Sequence, residues 1–234
     1  MSVQVRMSVL KDIAVEASHY GVSIMELCKS VGFSLEDLQD VERWVGLEKA
    51  SAVWKHAIRL SGDLNLGLRI GQNSNPYVVG IVGYLMESSP DLGTAIQQLC
   101  NFNAVFADMF SYEYELSTDY FKMQYVPATI WWERYPDTAR QAIETSMSRT
   151  LAIIHRFTGK KVYPLKAHFN YTLSSEKTIY QQVLKTDLRF SQNENALYFP
   201  IEAWHLAVVS HNHLLFQHFE QLATAKLGSI QEEE

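Results

Sequence analysis

The stretch Tyr77-Val-Val-Gly-Ile-Val-Gly-Tyr-Leu-Met-Glu-Ser-Ser-Pro-Asp-Leu-Gly-Thr-Ala-Ile-Gln-Gln-Leu-Cys-Asn-Phe102 decides how the rest of the chain is read. It reads as two consecutive helices with an abrupt boundary. Val78 to Glu87 is almost wholly apolar, so a helix there is buried on most sides. Ser89 offers a side-chain oxygen to cap a second helix, and Pro90 falls at its first position, where a missing N–H costs nothing. Asp91 adds negative charge at the positive end of the helix dipole. Leu92, Ala95, Ile96, Leu99, Asn103 and Phe106 then recur at three- and four-residue steps, which predicts an amphipathic helix lying on a core. Gly80 and Gly83 lack the pattern that cradles a pyrophosphate and lie in too apolar a run to hold an anion; they read as sites of close helix packing.

Before this stretch, Val3 to Leu60 reads as helical. Val9, Ile13, Val15, Ala17 and Tyr20 give one amphipathic run ending near Gly21; Ser23 caps Ile24 to Val31, which Gly32 ends. Ser34 caps a third helix with Glu36 and Asp37 in its first turn. The rhythm of helix, glycine turn and helix is that of a DNA-reading helix-turn-helix. Its second helix, however, presents Glu36, Asp37, Gln39 and Asp40 where a reader needs lysine, arginine or asparagine. Carboxylates repel phosphates, so a plain helical hairpin is the better reading. Ala50 to Leu60 is a further helix with Trp54, Ala57 and Ile58 inward, broken at Gly62-Asp63. In Leu64 to Gly71, Arg69 reads as a structural cation against a helix end or a carboxylate, with a ligand role as the alternative. Asn73 to Pro76 is a loop.

After it, the period changes. Tyr112, Tyr114 and Leu116 alternate with Glu113, Glu115 and Ser117, and Phe121, Met123 and Tyr125 alternate with polar neighbours, which predicts a β-hairpin turning at Thr118-Asp119. Pro127 to Tyr135 reads as a loop. Asp137 caps the longest helix, closed by Gly159, with Ile143, Met147, Leu151, Ile154 and Phe157 inward and Gln141, Thr145, Arg149 and Arg156 on the wet side. Val162 to Tyr171 is a third strand, and a short helix runs from Ser174 or Ser175, with Glu176, to Lys185. Leu188 to Phe190 and Ala196 to Phe199 form a second hairpin, and a helix from about Ser210 to Leu227 ends the chain. The fold class is α+β: a small antiparallel sheet flanked by helices, with a helical N-terminal portion. Residues 1–72 form that portion, packed on a body of residues 73–234, and the whole makes one compact domain.

At 234 residues, 47% hydrophobic and 20% charged, the composition is that of a soluble globular protein able to bury a sizeable core. Nothing is apolar for long enough to span a bilayer, and the N-terminus lacks a secretory signal. Cys28 and Cys100 make no disulfide framework, which points to a reduced, cytoplasmic setting. A formal charge of -6 argues against a nucleic-acid surface on this chain.

The order Gly80-x-x-Gly83-Tyr84, then Ser89-Pro90-x-Leu92-Gly93-x-Ala95-Ile96, then Leu99, resembles the central signature of one branch of AraC-type transcription regulators, whose N-terminal effector region is called arabinose-binding. The Leu66-Gly-Leu-Arg69 phrase before it fits the same pattern. So do Lys166 to Tyr171, Tyr180 to Leu184, Leu188-Arg-Phe190 and Asn195 to Pro200, and the resemblance runs from about Leu64 to Leu214. It implies a domain that binds a small-molecule effector and forms a homodimer. Such regulators continue into a basic region with two helix-turn-helix units, whereas this chain stops at Glu234. Promoter DNA is therefore expected to be touched only through a C-terminal domain missing here, the chain being either a fragment or a regulator that has lost its reader.

A sensor pocket needs concave apolar walls and a few polar groups to fix orientation. The walls expected are Phe102 and Phe106, Tyr125, and the adjacent Trp131 and Trp132, of which only one can easily face the core. Tyr84, Asn103 and Arg149 are the polar anchors expected. The aromatic weighting favours a small, partly apolar effector, such as a carboxylate-bearing metabolite, over a polyol sugar. The terminal helix, with Leu214, Leu215, Phe216, Phe219 and Leu222, is more apolar than one core-facing stripe requires, which suits a dimer.

No catalytic residue, metal ligand or cofactor is assigned. His211 and His213 would point about 200 degrees apart on a helix. His211 and His218 share a face, but no cysteine or acid at ligand spacing joins them or His205. There is no Gly-x-Ser-x-Gly elbow and no histidine beside either cysteine, and Glu113 and Glu115 share the solvated face of a strand. The chain is not read as an enzyme. The alternatives are a haem- or metal-binding sensor and a structural protein-interaction module. For haem, the Tyr-x-Ser-x-Arg anchoring phrase is absent, and Tyr135-Pro-Asp-Thr-Ala-Arg140 has the wrong spacing.

Overall fold

The N-terminal residues begin with a strand rather than a helix. The computed structural model describes residues 3–73, 75–173 and 177–233. Strand β1 (Gln4–Arg6) pairs antiparallel with β2 (Trp44–Gly46), Val5 opposite Val45. Three-residue strands show no alternation long enough to be read against the surrounding helical pattern, so the expectation of helix throughout Val3 to Leu60 is corrected here. Around them pack α1 (Met7–Ser18), α2 (Ile24–Val31), α3 (Leu47–Ser61) and α4 (Leu66–Gln72). Ser23 caps α2 by accepting the Glu26 N–H, and Gly32 ends it in the left-handed conformation at φ 74°. Ser34 Oγ accepts the Asp37 N–H at 3.1 Å, and the Asp37 carboxylate accepts the Ser34 N–H at 2.7 Å. What this reciprocal cap starts is a single 3-10 turn, Asp37–Gln39, so the expected third helix does not form and nothing there could enter a DNA groove.

The deciding stretch is two helices, α5 (Ile81–Ser88) and α6 (Leu92–Asn101), preceded by a 3-10 turn at Pro76–Val79. Gly83 does serve close packing: a Cβ there would lie 2.1 Å from the Pro76 carbonyl oxygen. The boundary differs from expectation. Asp91, not Ser89, caps α6, its carboxylate accepting the Thr94 N–H at 2.7 Å. Ser89 and Pro90 are engaged elsewhere: Ser89 Oγ donates to the Leu85 carbonyl, the Val208 N–H donates to the Pro90 carbonyl and the Leu92 N–H to the Leu206 carbonyl. That short antiparallel pairing staples the helix boundary to a segment more than a hundred residues away.

The main sheet has the order β3-β4-β7-β5-β6, with β3 at Phe110–Leu116, β4 at Tyr120–Pro127, β5 at Lys166–His168, β6 at Asp187–Arg189 and β7 at Ala196–Pro200. All its pairings are antiparallel except β5 with β6, which are joined through α9 (Lys177–Leu184). The first hairpin forms as read, with Tyr112 opposite Tyr125. On edge strand β3, Tyr114 and Leu116 are left largely exposed. The second hairpin does not form, since β5 lies between β6 and β7. Residues Ala196 to Phe199 are all buried, and a strand buried on both faces belongs at a sheet centre with a neighbour on each side. The third strand is only the three residues of β5. The expected helix start at Ser174, Ser175 or Glu176 lies outside the described residues.

The segment read as a loop, Pro127 to Tyr135, carries a short helix, α7 (Thr129–Arg134). Helix α8 (Pro136–Thr158) follows with Pro136 at its first position; Asp137 sits in the first turn and does not cap. Ile143, Met147, Ile154 and Phe157 are buried as expected, and Leu151 is half-buried. The expected wet side is wrong for Gln141 and Thr145, which are buried against α4, and for Arg149, whose side chain is only 12% exposed and pairs with Asp12. Gly67 and Gly71 permit this, since a Cβ on either would lie 2.4 Å from an α8 backbone carbonyl oxygen. Gln141 accepts the Gly67 N–H at 2.6 Å and donates to the Leu64 carbonyl at 2.8 Å. Thr145 donates to the Gly67 carbonyl and Ser148 to the Leu68 carbonyl. Finally α10 (His213–Glu233) lies along α5, with Ala223 buried and Phe219 against Tyr84.

Candidate functional site

Where α8 turns away from α4 it meets α1 and α3 less completely. A cavity of about 70 Å³ remains there, bordered by Phe106, Phe110 and Trp131. Val9, Leu10 and Ile13 of α1 and Trp54 of α3 supply further apolar wall, and α8 contributes Ala142, Thr145, Ser146 and Arg149. The local reason is residue size: Ala142 and Ser146 are small residues one turn apart on α8, facing bulky side chains that do not meet across the gap. Trp131 is held in place by its indole N–H, which donates to Thr138 Oγ1 at 2.9 Å.

Few polar groups face this space. The Arg149 guanidinium donates from Nη2 to Asp12 Oδ2 at 2.5 Å, and both side chains are 12% exposed. Arg149 Nε is buried and makes no hydrogen bond among the described residues. The Tyr112 hydroxyl lies 3.2 Å from Ser146 Oγ, and burial pushes its phenol above the usual range, so it remains protonated. A buried ion pair of this kind contributes little net stability, because desolvation of both charges offsets their attraction. A chamber of this volume holds several waters or a very small organic molecule, and a larger ligand would need α1 or α7 to yield.

Of the residues expected to form the site, Phe106, Trp131 and Arg149 meet at this cavity. Phe102 is buried in the core beside it, and Asn103 is engaged in structure, its amide donating to the Ala107 and Phe110 carbonyls. The Tyr125 ring is buried, with its hydroxyl donating to Thr150 Oγ1 at 2.8 Å. Tyr125 and half-buried Trp132 instead border an open cleft with Gln124, Asn170 and Asn195. Tyr84 is remote from both, exposed at the surface, stacked on Tyr77 with centroids 4.5 Å apart and with the Phe219 ring beside it. Sequence reasoning missed Asp12, Tyr112 and Ser146. Asp12 gave no signal: it lies off the buried stripe of α1, which is Met7, Leu10, Ile13, Ala14 and Ala17.

Elsewhere on α8, Glu144 is fully buried. It accepts hydrogen bonds from the Tyr171 and Tyr180 hydroxyls and has Arg140 Nη1 at 3.4 Å. Burial outweighs these partners and pushes its carboxyl up to about 7. The thiol of Cys100 is pushed up by burial to about 12 and is unreactive at neutral pH. Among the described residues no group of three or more histidine, cysteine, aspartate or glutamate side chains could hold a metal ion. His211 precedes α10, its Nδ1 lying 2.8 Å from the Ser88 carbonyl oxygen.

The sequence profile of the family described as "Arabinose-binding domain of AraC transcription regulator, N-term" matches residues 21–208. Among solved structures, the transcriptional regulator CdpR from Pseudomonas aeruginosa superposes with a TM-score of 0.63 at 13% identity, over 92% of this chain. That likeness is one of fold. The chain spans 65% of the length of CdpR. No curated protein matches by sequence.

Proposed function

The chain belongs to the arabinose-binding, N-terminal domain family of AraC transcription regulators, and on that premise we propose that it senses a small-molecule effector in the cavity between α1, α3 and α8. One observation carries this reading: a largely apolar cavity whose lining includes Arg149, its one cation among the described residues. Helices of residues 1–72 and elements of residues 73–234 both line it, so we read the two portions as one compact unit with the effector at their seam. The close α4–α8 contact fixes one wall, and α1 supplies the other.

Two further parts of the reading follow from the family. Promoter DNA is contacted by residues outside this chain, whose net charge of -6 gives it no basic footprint. A salt-dependent gel shift of a promoter fragment by this chain alone would overturn that. The regulator pairs through α10, where Leu214 is 75% exposed and Leu215 and Leu222 are also exposed. Single apolar residues are common on surfaces, but three on one helix beside exposed Val209 make a patch suited to a second copy. Sedimentation at micromolar concentration should show dimer that Leu214→Ser shifts toward monomer; monomer alone would sink this part. The working compartment is the cytoplasm, where promoters and reduced thiols coexist, and among the described residues no helix is long and apolar enough to cross a membrane.

The effector reading is tested by thermal shift and tryptophan fluorescence against a panel of small metabolites. A ligand at a hundred times its dissociation constant adds about 2.7 kcal/mol of stability. Trp54 and Trp131 line the cavity and report its occupancy. If ligands are found whose affinity is unmoved by both Phe106→Ala and Trp131→Ala, the site is elsewhere.

A further inference from the structure

We infer that the effector carries a carboxylate, and that it binds by taking from Asp12 the edge of the Arg149 guanidinium that Asp12 now half-occupies. This rests on the cavity being the effector site. The Nε–H of an arginine and one hydrogen of Nη2 point the same way, along the edge that a carboxylate grips with both oxygens. In this protein Asp12 Oδ2 accepts from Nη2 alone, while Nε on that same edge is buried and without a hydrogen bond among the described residues. A buried donor left unmet is costly, and folded proteins rarely leave a guanidinium in that state without use. The pair is thus an incomplete internal version of the contact a ligand carboxylate would complete.

The chemistry of the walls sets the rest of the ligand. Val9, Ile13, Trp54 and Phe106 surround the chamber with hydrocarbon, and the Tyr112 hydroxyl, close to Ser146, is a further uncharged polar group. No lysine borders the chamber, and Arg149 is its one cation among the described residues. A single carboxylate on a short apolar body matches this; a dicarboxylate or a polyol would leave polar groups buried without partners. Two carboxylates cannot both share one guanidinium edge without repulsion, so the ligand and Asp12 compete. Asp12 sits on α1, which also supplies Val9 and Ile13, so the exchange acts directly on the position of that helix.

The test is titration calorimetry of this chain with pentanoate, and with pentanamide and pentanol as uncharged analogues of the same length. Pentanoate should bind about tenfold or more tighter than pentanamide, the difference expected of a charge-assisted contact. Asp12→Asn should tighten pentanoate binding several-fold while leaving pentanamide unchanged, because it removes the competitor. Arg149→Gln should erase the preference for the acid; should that variant fail to fold, the acid–amide comparison and Asp12→Asn decide alone. Equal binding of all three compounds overturns the carboxylate inference and leaves the cavity as the effector site. Weaker pentanoate binding in Asp12→Asn overturns the competition. No heat and no tryptophan response from any of the three overturns both the carboxylate and the cavity for ligands of this size.

Discussion

Along α8, the seam with α4 and the seam with α1 treat polar groups in opposite ways. Toward α4, Gln141, Thr145 and Ser148 each find backbone partners, and two glycines let the helices close until no gap remains. Toward α1, Arg149 has a donor unmet among the described residues and a cavity stands beside it. The first arrangement has one solution, since moving either helix strands several buried hydrogen bonds at once. The second leaves a buried donor unmet beside open space, so a polar group entering there would gain a hydrogen bond without breaking one to the backbone. One helix therefore carries a fully hydrogen-bonded seam and a seam with open space a turn or two apart.

The largest way to break this contrast is Gly71→Ala. Its Cβ would lie 2.4 Å from the Thr145 carbonyl oxygen and 2.7 Å from Ser148 Cβ, so the helices must part. A loss of about 3 kcal/mol or more, read from urea unfolding, is expected; a loss below about 1 kcal/mol would show that the α4 seam is softer than its geometry. Gln141→Leu comes next. It strands the Gly67 N–H and the Leu64 carbonyl, for a cost of about 2 kcal/mol in the same measurement.

Glu144 sharpens the comparison by pH. Its carboxyl is raised from 4.5 to about 7 in the folded state, so the folded chain holds a proton there that the unfolded chain gives up. This group's contribution is therefore full below about pH 4.5 and declines as pH rises to about 7, by at most about 1.4 kcal/mol per pH unit. Thermal melts from pH 5 to 8 should fall more steeply for the wild type than for Glu144→Gln, and parallel curves would contradict the burial. The smallest effect belongs to the cavity side. Ala142→Leu points new carbons into empty space and should leave stability within about 1 kcal/mol while abolishing any tryptophan response to ligand. A destabilisation as large as that of Gly71→Ala would mean the cavity wall is as rigid as the α4 seam.

Part of the fold and of the lining of the candidate cavity was legible beforehand. The apolar stripe of α8 is written at Ile143, Met147, Ile154 and Phe157, and the first hairpin in the alternation through Tyr112 and Tyr125. Phe106, Trp131 and Arg149 were identifiable as wall and anchor candidates because bulky aromatics are costly to leave in water and an arginine can orient an anion. Asp12 was not, since nothing in α1 tells which of its residues will face α8.

By itself the sequence determined most apolar stripes and some helix bounds, because hydrogen-bonding caps, left-handed glycines and side-chain period act within a few residues. Ser23 and Gly32 bound α2 for that reason. Only the tertiary structure decided that β5 enters between β6 and β7, that Asp91 caps α6 while Pro90 pairs with Val208, and that Gln141 and Thr145 are dry. Each of these depends on a partner brought from far along the chain. A polar residue looks the same in sequence whether water or a glycine backbone will answer its hydrogen bonds, and only the fold brings Gly67 and Gly71 against α8.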